Sequence, residues 1–268
     1  GATWSTDVPA HSGGGGDADY QNDASELIIS WSGSDGGSGI STYEYALGTT
    51  SGGTDAIDWT STGTSTADTL TGLSLTEGST YYLSVRVTDA AGNISDVVTG
   101  DGITIDLTAP AGTTVNDGTG ADIAYTGSDS SLSAVWPGFT EAVSGISKYE
   151  VAIGTSSGGT DVVDWTDNST DTSMNITSLS LTGGSTYYVS VRATDMVENV
   201  SDVVSSDGVT VDLLGPESGT VLDGTGEDVD WTNSDTTLEA SWLGFSDALS
   251  GIQYFEYAVG TAIDSFAL

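Results

Sequence analysis

Residues 80–89 read TYYLSVRVTD, and residues 186–195 read TYYVSVRATD. Each phrase alternates strictly: Tyr81, Leu83, Val85 and Val87 fall on one face, and Tyr82, Ser84 and Arg86 on the other. A period of two predicts a β-strand with one face buried. Its return 106 residues later predicts a structural repeat, and self-similarity at a fixed spacing constrains architecture before any single motif does.

Working outward, the same offset holds over a long stretch. SGISTYEYALGTTSGGTDAIDWT at 38–60 matches SGISKYEVAIGTSSGGTDVVDWT at 144–166, and the pairs Trp59/Trp165, Asp106/Asp212 and Pro110/Pro216 keep it. A third copy opens in residues 217–268, where Trp242 and Ser250-Gly251-Ile252 lie 106 residues beyond Trp136 and Ser144-Gly145-Ile146. The expected organisation is an N-terminal segment over 1–20, one repeat over 21–110, a second over 111–216, and the first half of a third over 217–268. Alternation recurs within each repeat, in Leu27, Ile29 and Trp31, in Tyr43, Tyr45 and Leu47, and in their counterparts Leu132, Ala134 and Trp136. Gly, Ser, Thr and Asp fill the gaps, supplying turns. No helical stretch of useful length appears. The expected fold is all-β: tandem antiparallel β-sandwiches of about 106 residues per repeat.

These segments resemble fibronectin type III and related immunoglobulin-like domains, as found in tandem on bacterial extracellular surface proteins. GLSLTEGSTYYLSV (72–85) is similar to that family's approach to strand F, which implies that Tyr81 and Tyr187 are tyrosine-corner residues bonded to the preceding loop. LIISW (27–31), LSAVW (132–136) and LEASW (238–242) resemble strand B, which places Trp31, Trp136 and Trp242 in the core. TDAAGNIS (88–95) resembles the turn after strand F, and IDLTAP (105–110) an inter-module junction. The second copy departs from the first: it carries Glu198 where the first has Gly92, so a role requiring Gly there is not expected of both. The resemblance specifies a fold and leaves function open.

Composition removes several function classes. The 268 residues hold 39 acids against three basic residues, for a formal net charge of −36. Such a chain repels nucleic acids and anionic membrane surfaces and attracts cations. There is no Cys, so disulfides, thiol chemistry and cysteine-bound zinc are excluded. No run of 18 apolar residues is present, so no membrane insertion by a helix is expected. The chain begins at Gly1 without a basic leader, which is read as a leader already removed or outside the sequence. Sequons at Asn93, Asn168, Asn175 and Asn199 fit a secreted, cell-surface protein.

Three sets of residues are candidates for a site. The first is acidic: DGTGAD (Asp117, Asp122) and DGTGED (Asp223, Asp228) open the second and third repeats, Asp106 and Asp212 mark the junctions, and Asp89 and Asp195 end the TYY strands. Calcium takes six to eight oxygens from carboxylate-rich turns, so these eight are candidate Ca²⁺ ligands locking neighbouring repeats. The spacing does not fit an EF-hand, and Asp and Gly are also ordinary turn formers. The second set is Trp59 and Trp165, each beside an Asp, which suit a glycan contact or edge packing. The third pairs outward Tyr82 and Tyr188 with Arg86 and Arg192, as a binding patch, a cation–π contact or cross-strand packing. Catalysis is not expected: the single histidine, His11, sits in HSGGGGD outside the repeats, and no phosphate loop occurs.

Half a sandwich should expose Trp242, Phe245, Ile252 and Tyr254, at about 1.5–3 kcal/mol each. Either the sequence is part of a longer array, or strands from another copy complete the sheet. The expected role is extracellular and mechanical, as a stalk, spacer or adhesive filament whose partners are its own copies. A carbohydrate-binding or accessory region of a secreted polysaccharide-degrading enzyme is the alternative.

Overall fold

The computed structural model of the chain describes residues 4–7 and 18–260; His11 lies outside the described residues. Every regular element among them is a strand, and no helix is long and apolar enough to cross a membrane.

The first repeat contains β1 (Trp4–Asp7), β2 (Tyr20–Gln21), β3 (Glu26–Gly33), β4 (Ile40–Gly48), β5 (Ile57–Gly63), β6 (Ala67–Thr71), β7 (Thr80–Asp89), β8 (Val98–Thr99) and β9 (Ile103–Ile105). They form two sheets. One runs β1-β3-β6; the other runs β2-β9-β7-β4-β5, with β8 also paired to β7. All pairs are antiparallel except β2 with β9. The second repeat reproduces this with β10 (Asn116–Asp117), β11 (Tyr125–Thr126), β12 (Ser131–Val135), β13 (Ile146–Gly154), β14 (Val163–Asp167), β15 (Ser173–Thr177), β16 (Thr186–Asp195), β17 (Val204–Ser205) and β18 (Val209–Val211). The opening strand of each repeat thus divides its pairing between the sheets, β10 on β12 and β11 parallel on β18.

The first repeat begins earlier than expected. Residues 4–7 pair antiparallel with Ser30–Gly33, so part of the segment 1–20 supplies an edge strand of the first sandwich. Low-complexity Gly-rich sequence after it hides that strand, because four residues are too short to show alternation.

Apolar side chains from both sheets interdigitate between the layers. Leu27, Ile29, Leu47, Leu83, Ile103 and Ile105 are fully enclosed in the first repeat, and Ala134, Ile153, Val189, Val191 and Val211 in the second. Trp31 and Trp136 are buried with them, Trp31 between Tyr43 and Tyr45 and Trp136 edge-on to Tyr149 at 5.6 Å. Tyr45 donates to Asp68 at 3.1 Å, and burial with that bond pushes its phenol up to about 12. The Tyr81 hydroxyl accepts the Thr76 N–H at 3.1 Å, and Tyr187 accepts that of Thr182 at 2.9 Å, which pins each loop to the strand that follows it.

Among the described residues, the third copy forms β19 (Thr220–Asp223) on β20 (Ala240–Leu243). The stretch 252–260, matching β4 and β13, is irregular. In the complete repeats that strand lies between β7 and β5, or β16 and β14, never against the first sheet, so without those neighbours it has no ladder to join. Trp242 is accordingly not a core residue here. It is 39% exposed and rests on Phe255 and Tyr257 at 5.7 and 6.2 Å, with no opposing sheet over it among the described residues.

Candidate functional sites at the repeat junctions and the acidic sandwich edge

The eight candidate acids separate into three structural groups. Asp89 and Asp195 end β7 and β16 and fold the following turn onto themselves. Asp195 Oδ1 accepts the Val197 and Asn199 N–H groups at 2.9 and 2.8 Å, and Oδ2 accepts Asn199 Nδ2 at 2.8 Å. Asp89 makes the same contacts with Ala91 and Asn93, and these bonds, Asn93 first, hold its carboxyl below the usual range. Both carboxylates are occupied by turn donors. Gly92 and Glu198 occupy the same turn position with φ of 87° and 70°, so Glu198 adopts the left-handed conformation that glycine adopts in the first copy.

Asp106 and Asp212 form the second group, at the junctions. Asp106 is buried; its Oδ2 accepts the Ser144 N–H of the next repeat at 3.1 Å, and its carbonyl accepts Asn199 Nδ2 at 3.1 Å. Asn22 Nδ2 crosses the same junction to the Val197 carbonyl at 2.6 Å. The arrangement recurs one period later, where Asp212 Oδ2 accepts the Ser250 N–H at 3.2 Å. The Ser-Gly-Ile loop that opened the sequence comparison is therefore the socket into which the preceding repeat's terminal Asp fits. Neither Asn was expected to take part; for Asn199 the available signal was its counterpart Asn93 in the turn after the TYY strand, whereas Asn22 has no counterpart, Ser128 standing 106 residues later.

Asp117 and Asp122 form the third group, at the edge of the second sandwich. The structure adds Asp207 to them: one carboxylate oxygen of each lies within 4.8 Å of the other two. Asp117 is fully enclosed on β10, while Asp122 and Asp207 are exposed. Asp117 Oδ2 accepts the Gly208 N–H at 3.1 Å, and the Ser206 hydroxyl donates to the same carboxylate, but Oδ1 has no protein donor. Burial, reinforced by the charges of Asp122 and Asp207 and opposed by Ser206 and Gly208, pushes the carboxyl up to about 6. A shallow groove of about 340 Å³, lined by Gly118–Ala121, Ile123, Leu132 and Val209, runs beside it. Asp223 and Asp228 repeat the pair in the third copy, with the Asp223 N–H bonded to Asp228 Oδ1 at 3.1 Å, and both are exposed. No third acid joins them among the described residues.

The Trp and Arg candidates meet. The Arg86 guanidinium lies 4.3 Å from the Trp59 ring centroid and Arg192 lies 4.5 Å from that of Trp165, so one face of each indole is already covered. The same arginines bond Glu44 at 2.9 Å and Glu150 at 3.0 Å, and Lys148 reaches Glu150 at 3.5 Å. Arg192 first, then Lys148, holds the Glu150 carboxyl below the usual range. All three basic side chains of the chain are therefore engaged on the outer face of the larger sheet.

No protein-family profile matches the chain. Exoglucanase B of Cellulomonas fimi is 30% identical over 202 residues, which is 73% of this chain and 16% of that protein. The chain thus spans about a sixth of the curated relative it matches. Among solved structures, the FN1–FN3 domains of chicken CNTN1 align at a TM-score of 0.37 and 17% identity, covering 76% of this chain and 69% of theirs. A segment of titin aligns at 0.47 and 15%, covering 79% and 66%. What decides the fold is the chain's own strand order, a three-stranded sheet packed on a larger one with the same crossovers in both repeats and a Tyr corner in each. The repeats are antiparallel sandwiches of the immunoglobulin-like or fibronectin type III-like kind. In these repeats the eight candidate acids hold turns, junctions or the acidic sandwich edge.

Proposed function

We propose that the chain is a non-catalytic extracellular spacer, whose repeats act as semi-rigid rods carrying whatever lies at either end of the array. The observation that carries this reading is the repeated junction: a terminal Asp of one sandwich bonds the Ser-Gly-Ile loop of the next at both Asp106–Ser144 and Asp212–Ser250. A repeated contact gives repeated geometry, and hence additive length. Strands of nine or ten residues give about 35 Å per repeat. Two and a half such units in line imply a radius of gyration of about 26 Å, against about 18 Å for a compact globule of this length.

Small-angle scattering on the full chain tests it. The expected result is the larger radius with a rod-like distance distribution, and a flexible-chain profile in an Asp106→Ala, Asn199→Ala double variant. A globular profile would sink the proposal.

A second reading, as an accessory region of a secreted polysaccharide-degrading enzyme, is favoured by the similarity to Exoglucanase B. Both readings are extracellular. Pull-down on insoluble polysaccharide separates them: retention lost in Trp59→Ala and Trp165→Ala variants supports the accessory role, and no retention supports the passive spacer. Arg86 and Arg192 over the indoles favour the latter.

A further inference from the structure

The acidic candidates were expected at the junctions, yet the junctional carboxylates are already bonded to protein N–H groups. The group left with an unmet requirement lies within one sandwich. From Asp117, Asp122 and Asp207, the geometry points to a calcium site on the edge of the second repeat, fastening its opening strand to its closing strand.

Two independent observations meet there. Three carboxylate oxygens from separate segments converge within 4.8 Å: Asp117 from β10, Asp122 from the turn after it, and Asp207 from the break between β17 and β18. Separately, Asp117 is completely buried and its Oδ1 faces no donor from the protein. A buried carboxylate oxygen without a partner is strongly destabilising, and proteins normally resolve it by pairing or by coordinating a metal. No cationic partner for Asp117 is available among the described residues, because the three Lys and Arg side chains are held at Glu44 and Glu150. The groups facing Asp117 are Asp122 and Asp207, both acids, with the Ser206 hydroxyl beside the carboxylate and the Gly208 N–H bonded to its Oδ2.

The donor set is all oxygen and carries three negative charges, which selects a hard cation. Calcium accepts an irregular shell of six to eight oxygens on turns, whereas magnesium demands compact octahedral geometry. Three carboxylates spread over a strand end and two exposed turns suit calcium. The bound ion would clip the first sheet to the second at the end of the sandwich. This is independent of whether the array serves as a spacer or an enzyme accessory.

The test uses the full 268-residue chain, stripped with chelator and held at constant ionic strength with KCl. Calcium is titrated by calorimetry, with thermal melts recorded alongside. Expected is a saturable binding event and a raised melting transition, both weakened at least tenfold in affinity by Asp122→Asn and by Asp207→Asn. Without metal these two variants should melt no lower than the parent, because each removes a charge that repels buried Asp117, and an asparagine Oδ1 at 122 still accepts the Asp117 N–H. Asp117→Asn loses calcium binding as well, and should melt higher than the metal-free parent because a buried charge is gone. A calcium effect that KCl of equal ionic strength reproduces, or that survives in both exposed variants, overturns the site. An equal response to magnesium overturns its assignment to calcium.

Discussion

Glu198 shows how a single residue is governed by the repeat around it. Its φ of 70° places a β-carbon in the left-handed region, at about 1–2 kcal/mol relative to the ordinary helical basin. The turn is imposed by Asp195, which captures the Val197 and Asn199 N–H groups whichever residue stands between them. The sequence difference from Gly92 reads as a difference in role, and the structure makes it the same role at a higher conformational cost. Glu198→Gly should therefore stabilise the chain by about 0.5 kcal/mol, since relief of strain is partly offset by the greater freedom of glycine in the unfolded state. Gly92→Glu should cost about 1 kcal/mol. Denaturant midpoints of the two variants should move in opposite directions, and a shift of the same sign in both would contradict this account.

At the scale of elements, the closing strand is broken in two, and glycine makes the break possible. Gly208, between β17 and β18, has a φ of 101°, and a β-carbon there would lie 2.8 Å from the Tyr188 ring and 2.9 Å from the Thr186 methyl. Gly102 stands in the same relation to Tyr82 and Thr80 in the first repeat. Both factors oppose any side chain, so Gly208→Ala should cost about 2 kcal/mol. Gly184, with a φ of 80° and open space around it, is the control, and Gly184→Ala should cost about 1 kcal/mol. Equal losses in the two would show that crowding at Tyr188 contributes nothing. Alternation read this strand system well for Tyr81, Leu83, Val85 and Val87. It failed at Ser84 and Ser190, expected outside but fully buried, because the turn carrying Gly52 or Gly158 folds over the outer face and donates an N–H to each hydroxyl at 3.1 Å. That closure joins segments 32 residues apart and has no local signature.

For the whole molecule the dominant quantity is a net charge of −36, with the three Lys and Arg side chains on the outer faces of the two larger sheets. Self-repulsion among the remaining carboxylates opposes the compact state. Raising NaCl from about 10 to about 100 mM shortens the screening length from about 30 to about 10 Å. Thermal unfolding should consequently move up by about 5 °C, corresponding to about 1 kcal/mol for a sandwich of about 100 residues. Scanning calorimetry would measure it, and a transition that falls with salt would mean that the Arg–Glu pairs outweigh the repulsion. The candidate sites were only half legible at this scale. Asp117 and Asp122 stand out as a recurring DGTG phrase, but Asp207 is 85 residues from Asp122 and joins it only because β18 returns beside β11.

The sequence by itself determined the repeat length, the strand periodicity and the inward Trp and Tyr residues, because alternation and self-similarity are local or periodic properties written into neighbouring residues. Tertiary structure alone decided which acids are satisfied and which are not. A carboxylate's state depends on the donors and charges that distant strands bring to it, and no reading along the chain separates Asp195, saturated by its own turn, from Asp117, enclosed with one oxygen unmet.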